Sequence, residues 1–296
     1  MNKSFGKDAM FYLSFCLFNA ILYTFVKLFA TKTGMKTLQI AAYMNIGVFV
    51  IYNILFVKKI WQDKLYINVF KFGNLLLSTS MISAVTKIYC IQYIEPRDAV
   101  IIAHATPFMV MLGAKVFLKE KMVLKYWLYG ALSLLGVIIY VWKKIEIYNF
   151  YYLILLLHVV FKATMHITTR RISKTSVFQV MFYDNLFYSL FAVYYIEGHG
   201  GFDFKIFLNW QILAIIIITT ISLFSLVKAY SIASSGITKL QNLDFSKIIF
   251  SFILAVIFLD DKIEGNELLG SGIIVISIIL SQVELKTIFK KKLSSI

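Results

Sequence analysis

Ten apolar stretches run the length of this chain, at roughly 9–30, 37–57, 69–88, 98–118, 124–142, 149–168, 177–196, 209–230, 238–258 and 267–284. An α-helix needs about 20 residues to cross the hydrocarbon core of a bilayer, and each stretch is close to that length. In lipid every backbone N–H and C=O must find its partner within the segment, so runs of this length become spanning helices. The expected fold is an all-α polytopic membrane protein with ten transmembrane helices. Hydrophobic residues make up 60% of the sequence and the mean hydropathy is +0.79, whereas a soluble domain is about half apolar. Two prolines and fourteen glycines leave no linker at which to cut out a soluble domain. The first stretch is longer than the apolar core of a signal peptide and is expected to stay in the mature protein.

The chain repeats itself. In one constant register Lys87, Tyr89, Phe117, Leu118, Lys121 and Leu128 recur as Lys228, Tyr230, Phe258, Leu259, Lys262 and Leu269, with Glu120 answered by Asp261. In a second register, shifted from the first by a single position, Tyr12, Leu13, Leu17, Thr24, Gln39, Tyr43 and Asn45 match Tyr152, Leu153, Leu157, Thr164, Gln179, Tyr183 and Asn185. Shared Gln, Asn and Lys in register point to a duplication, with units at 1–145 and 146–296. Ten spans then divide into five plus five.

The formal net charge of +15 does not indicate nucleic-acid binding, because the basic residues fall in the short gaps between apolar stretches. There they report topology. One set of gaps holds the N-terminus, Lys58, Lys59, Lys64, Lys119, Lys121, Lys125, Arg170, Arg171, Lys174, Lys239 and the lysine-rich tail. The other holds Lys32, Lys36, Arg97, Lys143, Lys144, Lys205 and Lys262. Sixteen against seven places both termini in the cytoplasm. An odd number of helices per unit makes the second copy cross in the opposite sense, an inverted repeat with its pseudo-two-fold axis in the membrane plane.

Ionisable groups inside spanning segments are costly and face a cavity or a partner. This chain places Lys27, Lys87, His104, Lys115, His158, Lys162, His166, Asp184, Lys228, Asp244 and Lys247 there. Lys27 and Lys115 lie near enough to helix ends to snorkel. His158, Lys162 and His166, at i, i+4 and i+8, share one face of the sixth helix, which reads as an aqueous, anion-attracting stripe or as histidines bonded to neighbouring helices. Asp244 has a local partner in Lys247 at i+3, whereas Asp184 calls for a lysine from another helix or a role in proton coupling. Lys87 and Lys228, equivalent under the repeat, read either as gate residues for an anionic group or, with Tyr89 and Tyr230, as interfacial anchors in an aromatic belt. Pro107 inside the fourth helix is expected to bend it, with His104 beside it. Candidate site residues are Lys87, His104, Lys162, His166, Asp184 and Lys228. No cofactor is expected. A metal site is disfavoured by the lack of Cys ligands and the scarcity of carboxylates, and Cys16 and Cys90 read as small packed hydrophobes.

The fourth stretch, with Pro107, closes in Val116-Phe117-Leu118-Lys119-Glu120, and Gly130-Ala131-Leu132-Ser133-Leu134-Leu135-Gly136-Val137 follows in the fifth. The second copy closes in Phe258-Leu259-Asp260-Asp261, with Gly270 and Gly272 beyond. With these marks the chain resembles, over essentially its whole length, the EamA-type branch of the drug/metabolite transporter superfamily. Members usually have Gly before the acidic residue, where this chain has Lys119 and Asp260, and Ile248 stands where a proline would match Pro107. In length, lysine bias and aromatic content it is most similar to the S-adenosylmethionine uptake carriers of obligate intracellular bacteria. The resemblance implies a multi-pass carrier of the bacterial inner membrane that works by alternating access and imports that metabolite, with S-adenosylhomocysteine as the candidate exchange partner. An exporter of amino acids, drugs or other metabolites shares the fold. The chain is not expected to be an enzyme: an integral-membrane transferase, the rival from another class, needs a carboxylate cluster or His-Asp motif at a membrane face, and the short, lysine-rich gaps hold none.

Overall fold

The computed structural model describes residues 6–62, 82–83, 86, 103, 105–120, 124–141, 150–173, 177–233, 236–259 and 265–282. Every regular element among them is helical: α1 (Lys7–Thr33), α2 (Thr37–Gln62), α3 (Thr106–Phe117), α4 (Leu124–Val141), α5 (Tyr151–Ser173), α6 (Val177–Glu197), α7 (Trp210–Ile232), α8 (Thr238–Asp244), α9 (Ser246–Leu259) and α10 (Gly265–Gln282), with a 3-10 turn at Phe204–Leu208 before α7. In α1, α2, α5 and α7 the apolar segment is long enough to cross a membrane.

Local chemistry sets several of the ends. Asp8 lies in the first turn of α1, where a carboxylate opposes the positive end of the helix dipole. Gly34 stops that helix in the left-handed region at φ 70°, returning its N–H to the Ala30 carbonyl. Asn209 caps α7, its side chain accepting from the Gln211 N–H at 2.8 Å.

The helices are apolar on their outer faces as well as inside. Ile54 and Leu55 on α2, Leu128 and Leu135 on α4, Leu190 and Tyr194 on α6, and Leu268 and Ile276 on α10 are all exposed. Large apolar side chains ringing a helical bundle need lipid rather than water around them.

Inside, α1 is the hub. It packs against α7, α8 and α9, and Tyr12, Phe15, Cys16 and Ala20 are buried along it. Two further pairs stand beside this group. α2 lies on α6, where Tyr52 donates to the Phe178 carbonyl and Ser189 to the Asn45 carbonyl. α4 lies on α10, where Ser133 donates to Ser277 at 2.9 Å. α3 packs on α5, and α5 on α7.

Two expectations are corrected. The span foreseen as one helix at 238–258 is two, α8 and α9, divided by a turn at Phe245. The Leu243 carbonyl, which an unbroken helix would offer to the Lys247 N–H, is taken by the Ser246 hydroxyl at 2.6 Å and approached by the Cys16 thiol at 3.5 Å. Such back-bonding competes with the helical ladder. Pro107, expected inside one helix, stands in the first turn of α3, directly after a turn at Ala105, where a missing N–H costs nothing.

Candidate functional site

Near the end of the bundle that holds the start of α1, five helices converge on a chain of buried hydrogen bonds. Asp244, the last residue of α8, accepts from the Tyr12 hydroxyl of α1 at 2.9 Å and from the Lys247 ammonium of α9 at 2.5 Å. Gln241, one turn before Asp244, donates its amide to the Tyr230 hydroxyl of α7 at 3.0 Å and to that of Tyr12 at 3.4 Å. The Tyr230 hydroxyl lies 2.7 Å from His166 Nδ1 on α5. Lys247, Asp244, Tyr12, Gln241, Tyr230 and His166 thus form one continuous network. Tyr12 and Tyr230 are fully buried and their rings lie 5.9 Å apart. In a low-dielectric setting each of these bonds is stronger than in water, and each unpaired group would be correspondingly costly.

A second cluster of charge lies one turn nearer the helix ends. Arg170, buried on α5, donates to the Tyr230 carbonyl and, at 2.5 Å, to the Ala233 carbonyl. It thereby serves carbonyls that the C-terminus of α7 leaves without helical partners. Glu120, just after α3, accepts from the Ile237 N–H at 3.0 Å and from the Thr238 hydroxyl at 3.1 Å, and so caps α8 from outside its own chain segment. The guanidinium and the carboxylate approach to 3.9 Å. The link between α7 and α8 is therefore held at one end by a cation from α5 and at the other by an anion that follows α3.

Backbone geometry makes room for this clamp. Gly236 has φ 82°, and a Cβ there would collide with the Glu120 carboxylate; only glycine satisfies both conditions. Lys119 holds φ 53° without being glycine. α3 ends through that residue, and the Glu120 N–H turns back to the Ala114 carbonyl.

Of the six candidate residues, Lys87 and His104 lie outside the described residues. His166 is buried in the network. Lys162, one turn before it, points along its own helix to the Met165 sulfur at 3.6 Å. Asp184 on α6 and Lys228 on α7 are each half-buried, and the chain of bonds just traced does not run through them. His158 follows the second of the two readings of its stripe, its Nδ1 lying 2.9 Å from the Ser83 hydroxyl and 2.7 Å from the Ser83 carbonyl oxygen. The Asp244–Lys247 pair is also present. Tyr230 is no belt residue; it is fully buried and bonded on two sides. Tyr12 and Gln241 were not foreseen as site residues, nor was the clamp of Arg170 and Glu120. Gln241, Asp244 and Lys247 at i, i+3 and i+6 form a polar stripe that the sequence displays.

Residues 149–282 carry an EamA-like transporter family domain. A solved crystal structure superposes on the chain with a TM-score of 0.71 at 14% identity, covering 91% of this chain and 96% of the other. At that identity the likeness concerns the fold alone. No curated protein matches the chain in sequence. With four helices long and apolar enough to cross a bilayer and this domain in its second half, the chain is a multi-pass membrane protein.

Proposed function

We propose that the protein is a secondary carrier that works by alternating access between two five-helix units, 1–145 and 146–296, set in the bacterial inner membrane with both termini in the cytoplasm. The observation that carries this reading is the buried network itself. It joins α1 of the first unit to α5, α7, α8 and α9 of the second through charged and polar groups that a purely structural bundle has no use for.

The packing supports the duplication. Under the repeat, α1 corresponds to α5, α2 to α6, α3 to α8 with α9, and α4 to α10, while the stretch at 69–88 corresponds to α7. Contacts recur in matched pairs. α1 on α9 is answered by α5 on α3, and α1 on α7 by His158 of α5 against Ser83. α2 on α6 and α4 on α10 each pair an element with its own counterpart, as elements flanking a two-fold axis do.

On the resemblance given above, the substrate is S-adenosylmethionine, imported with S-adenosylhomocysteine as the candidate exchange partner. Lys87, His104, Lys162, His166, Asp184 and Lys228 are the residues proposed to line its path. The Lys162 face would hold the carboxylate, and Asp184 or aromatic faces the sulfonium and amine. Export of amino acids or other metabolites uses the same architecture, and fold does not set direction. The test is uptake of radiolabelled S-adenosylmethionine by bacteria lacking such a carrier, with and without the protein. Saturable uptake, competed by S-adenosylhomocysteine and lost in Lys162→Ala or Asp184→Asn at normal membrane levels, is expected. Efflux from preloaded cells without uptake would reverse the direction, and no flux of this solute from well-inserted protein would remove the substrate.

A further inference from the structure

The Lys247 ammonium is held as a bound ligand would be. It sits 2.5 Å from Asp244 Oδ1 and 4.2 Å from the centre of the Phe15 ring, and the Tyr12 hydroxyl bonds the same Asp244 oxygen at 2.9 Å. A carboxylate with an aromatic face beside it is the chemistry that recognises organic cations. The two side chains are only 20% and 13% exposed, so both charges have been drawn largely out of water, at a desolvation cost that precedes their attraction. The bond within the pair adds no long-range tie of its own. Lys247 and Asp244 are close neighbours in sequence, and their bond spans only the turn between α8 and α9. Both side chains also meet α1, Asp244 through the Tyr12 hydroxyl and Lys247 through the Phe15 ring, and both contacts would serve any cation seated between the carboxylate and the ring. At the equivalent positions of the first unit stand Ala103 and Thr106, so the other unit carries neither charge.

We propose that Asp244, Phe15 and Tyr12 form a cation subsite of the transport path, which the Lys247 ammonium fills in this conformation and which the ammonium or sulfonium of a small organic cation fills when Lys247 withdraws. The inference rests on the carrier reading and assigns its substrate class at a site of this chain. Lys247 is a tethered competitor. It keeps the subsite satisfied while no substrate is present, and its long flexible stem lets it leave without unfolding α9. The turn at Phe245 lies between the anion and its tethered cation, so movement of α9 against α8 changes their separation directly.

The test uses the purified full chain in detergent and phenethylammonium as probe, with 2-phenylethanol as its uncharged counterpart, and reads binding by calorimetry. Removing the internal competitor in Lys247→Met should tighten phenethylammonium binding about ten-fold or more over the wild type, since the competent fraction of sites rises. The alcohol should not bind. Asp244→Asn/Lys247→Met removes both charges of the pair together, serves as the well-folded reference, and should bind neither. Equal affinity in Lys247→Met and wild type, or undiminished binding in the double variant, overturns the subsite. Flux through proteoliposomes of the wild type separates this from the carrier reading. A gain in Lys247→Met without any wild-type flux leaves the subsite standing and removes the carrier, whereas flux without that gain does the reverse.

Discussion

At the scale of single residues, the clamp around the α7–α8 link shows how costly backbone and buried charge are reconciled. Lys119 occupies the left-handed region at φ 53°, where a Cβ carries a penalty of about 1 kcal/mol that glycine avoids. Lys119→Gly should therefore stabilise the protein by about 0.5–1 kcal/mol, seen as a higher thermal midpoint in detergent. No change or a lower midpoint would mean that the lysine side chain makes contacts worth the strain. Glu120 behaves oppositely. Its carboxylate satisfies the start of α8 and stands 3.9 Å from buried Arg170, so Glu120→Ala should cost about 3–5 kcal/mol, the range for stripping one partner from a buried pair. Glu120→Gln keeps an acceptor for Ile237 and should lose less. The resemblance drew attention to the first of these positions, since the family it points to is expected to carry Gly where Lys119 stands, and the φ value gives a reason for that expectation. The clamp itself was not legible. Arg170 and Glu120 sit among lysines in gaps that a charge count reads only as topology, and nothing local says that one of those charges turns inward.

At the scale of helices, close approach is built from small residues. α4 and α10 meet at Gly136, where a Cβ would lie 2.8 Å from Ile274 Cγ1 and 2.9 Å from the Gly270 carbonyl oxygen. A backbone oxygen cannot swing aside, so Gly136→Ala forces the pair apart and should destabilise by about 1–3 kcal/mol. Ser133→Ala, one turn away, removes only the bond to Ser277 and should cost about 0.6 kcal/mol, typical of such bonds between membrane helices. Chemical denaturation of the two variants should rank them in that order; the reverse ranking would show that the interface is held by the hydroxyls rather than by contact. Helices of this length were readable because lipid imposes one solution on an apolar run. The division at Phe245 was not, because Ser246 and Cys16 compete for a carbonyl that hydropathy does not see. The network escaped for a related reason. Tyr12 and Asp244 lie near opposite ends of the sequence, and only folding brings them to one place, although the stripe of Gln241, Asp244 and Lys247 was present to be noticed.

At the scale of the whole molecule, one end of the bundle is bound together by charge, and the two halves of the chain share the work. Glu120 comes from the first half, Arg170 and the α7–α8 link from the second, and immediately beneath them the network runs from Tyr12 to His166. At the position of the first unit equivalent to Arg170 the chain has Ala30, so the repeat does not supply the same cation twice. An end tied by a clamp opens by breaking it, and the free energy of that opening falls by whatever the clamp contributes. Cys16 can report the event. It is buried on α1 with its thiol against the Leu243 carbonyl, inside the region that the clamp covers. With Cys90→Ser as background, the remaining thiol should react slowly with a small maleimide in membranes. Adding Glu120→Gln should speed labelling about ten- to thirty-fold if the clamp contributes about 1.4–2 kcal/mol to closure and opening is fast relative to reaction. Ser133→Ala weakens an interface away from the clamp by a bond of its own, and it should leave the labelling rate unchanged. Acceleration by both variants alike would mean that Cys16 reports general loosening, and acceleration by neither would mean that the Glu120–Arg170 clamp does not hold this end shut.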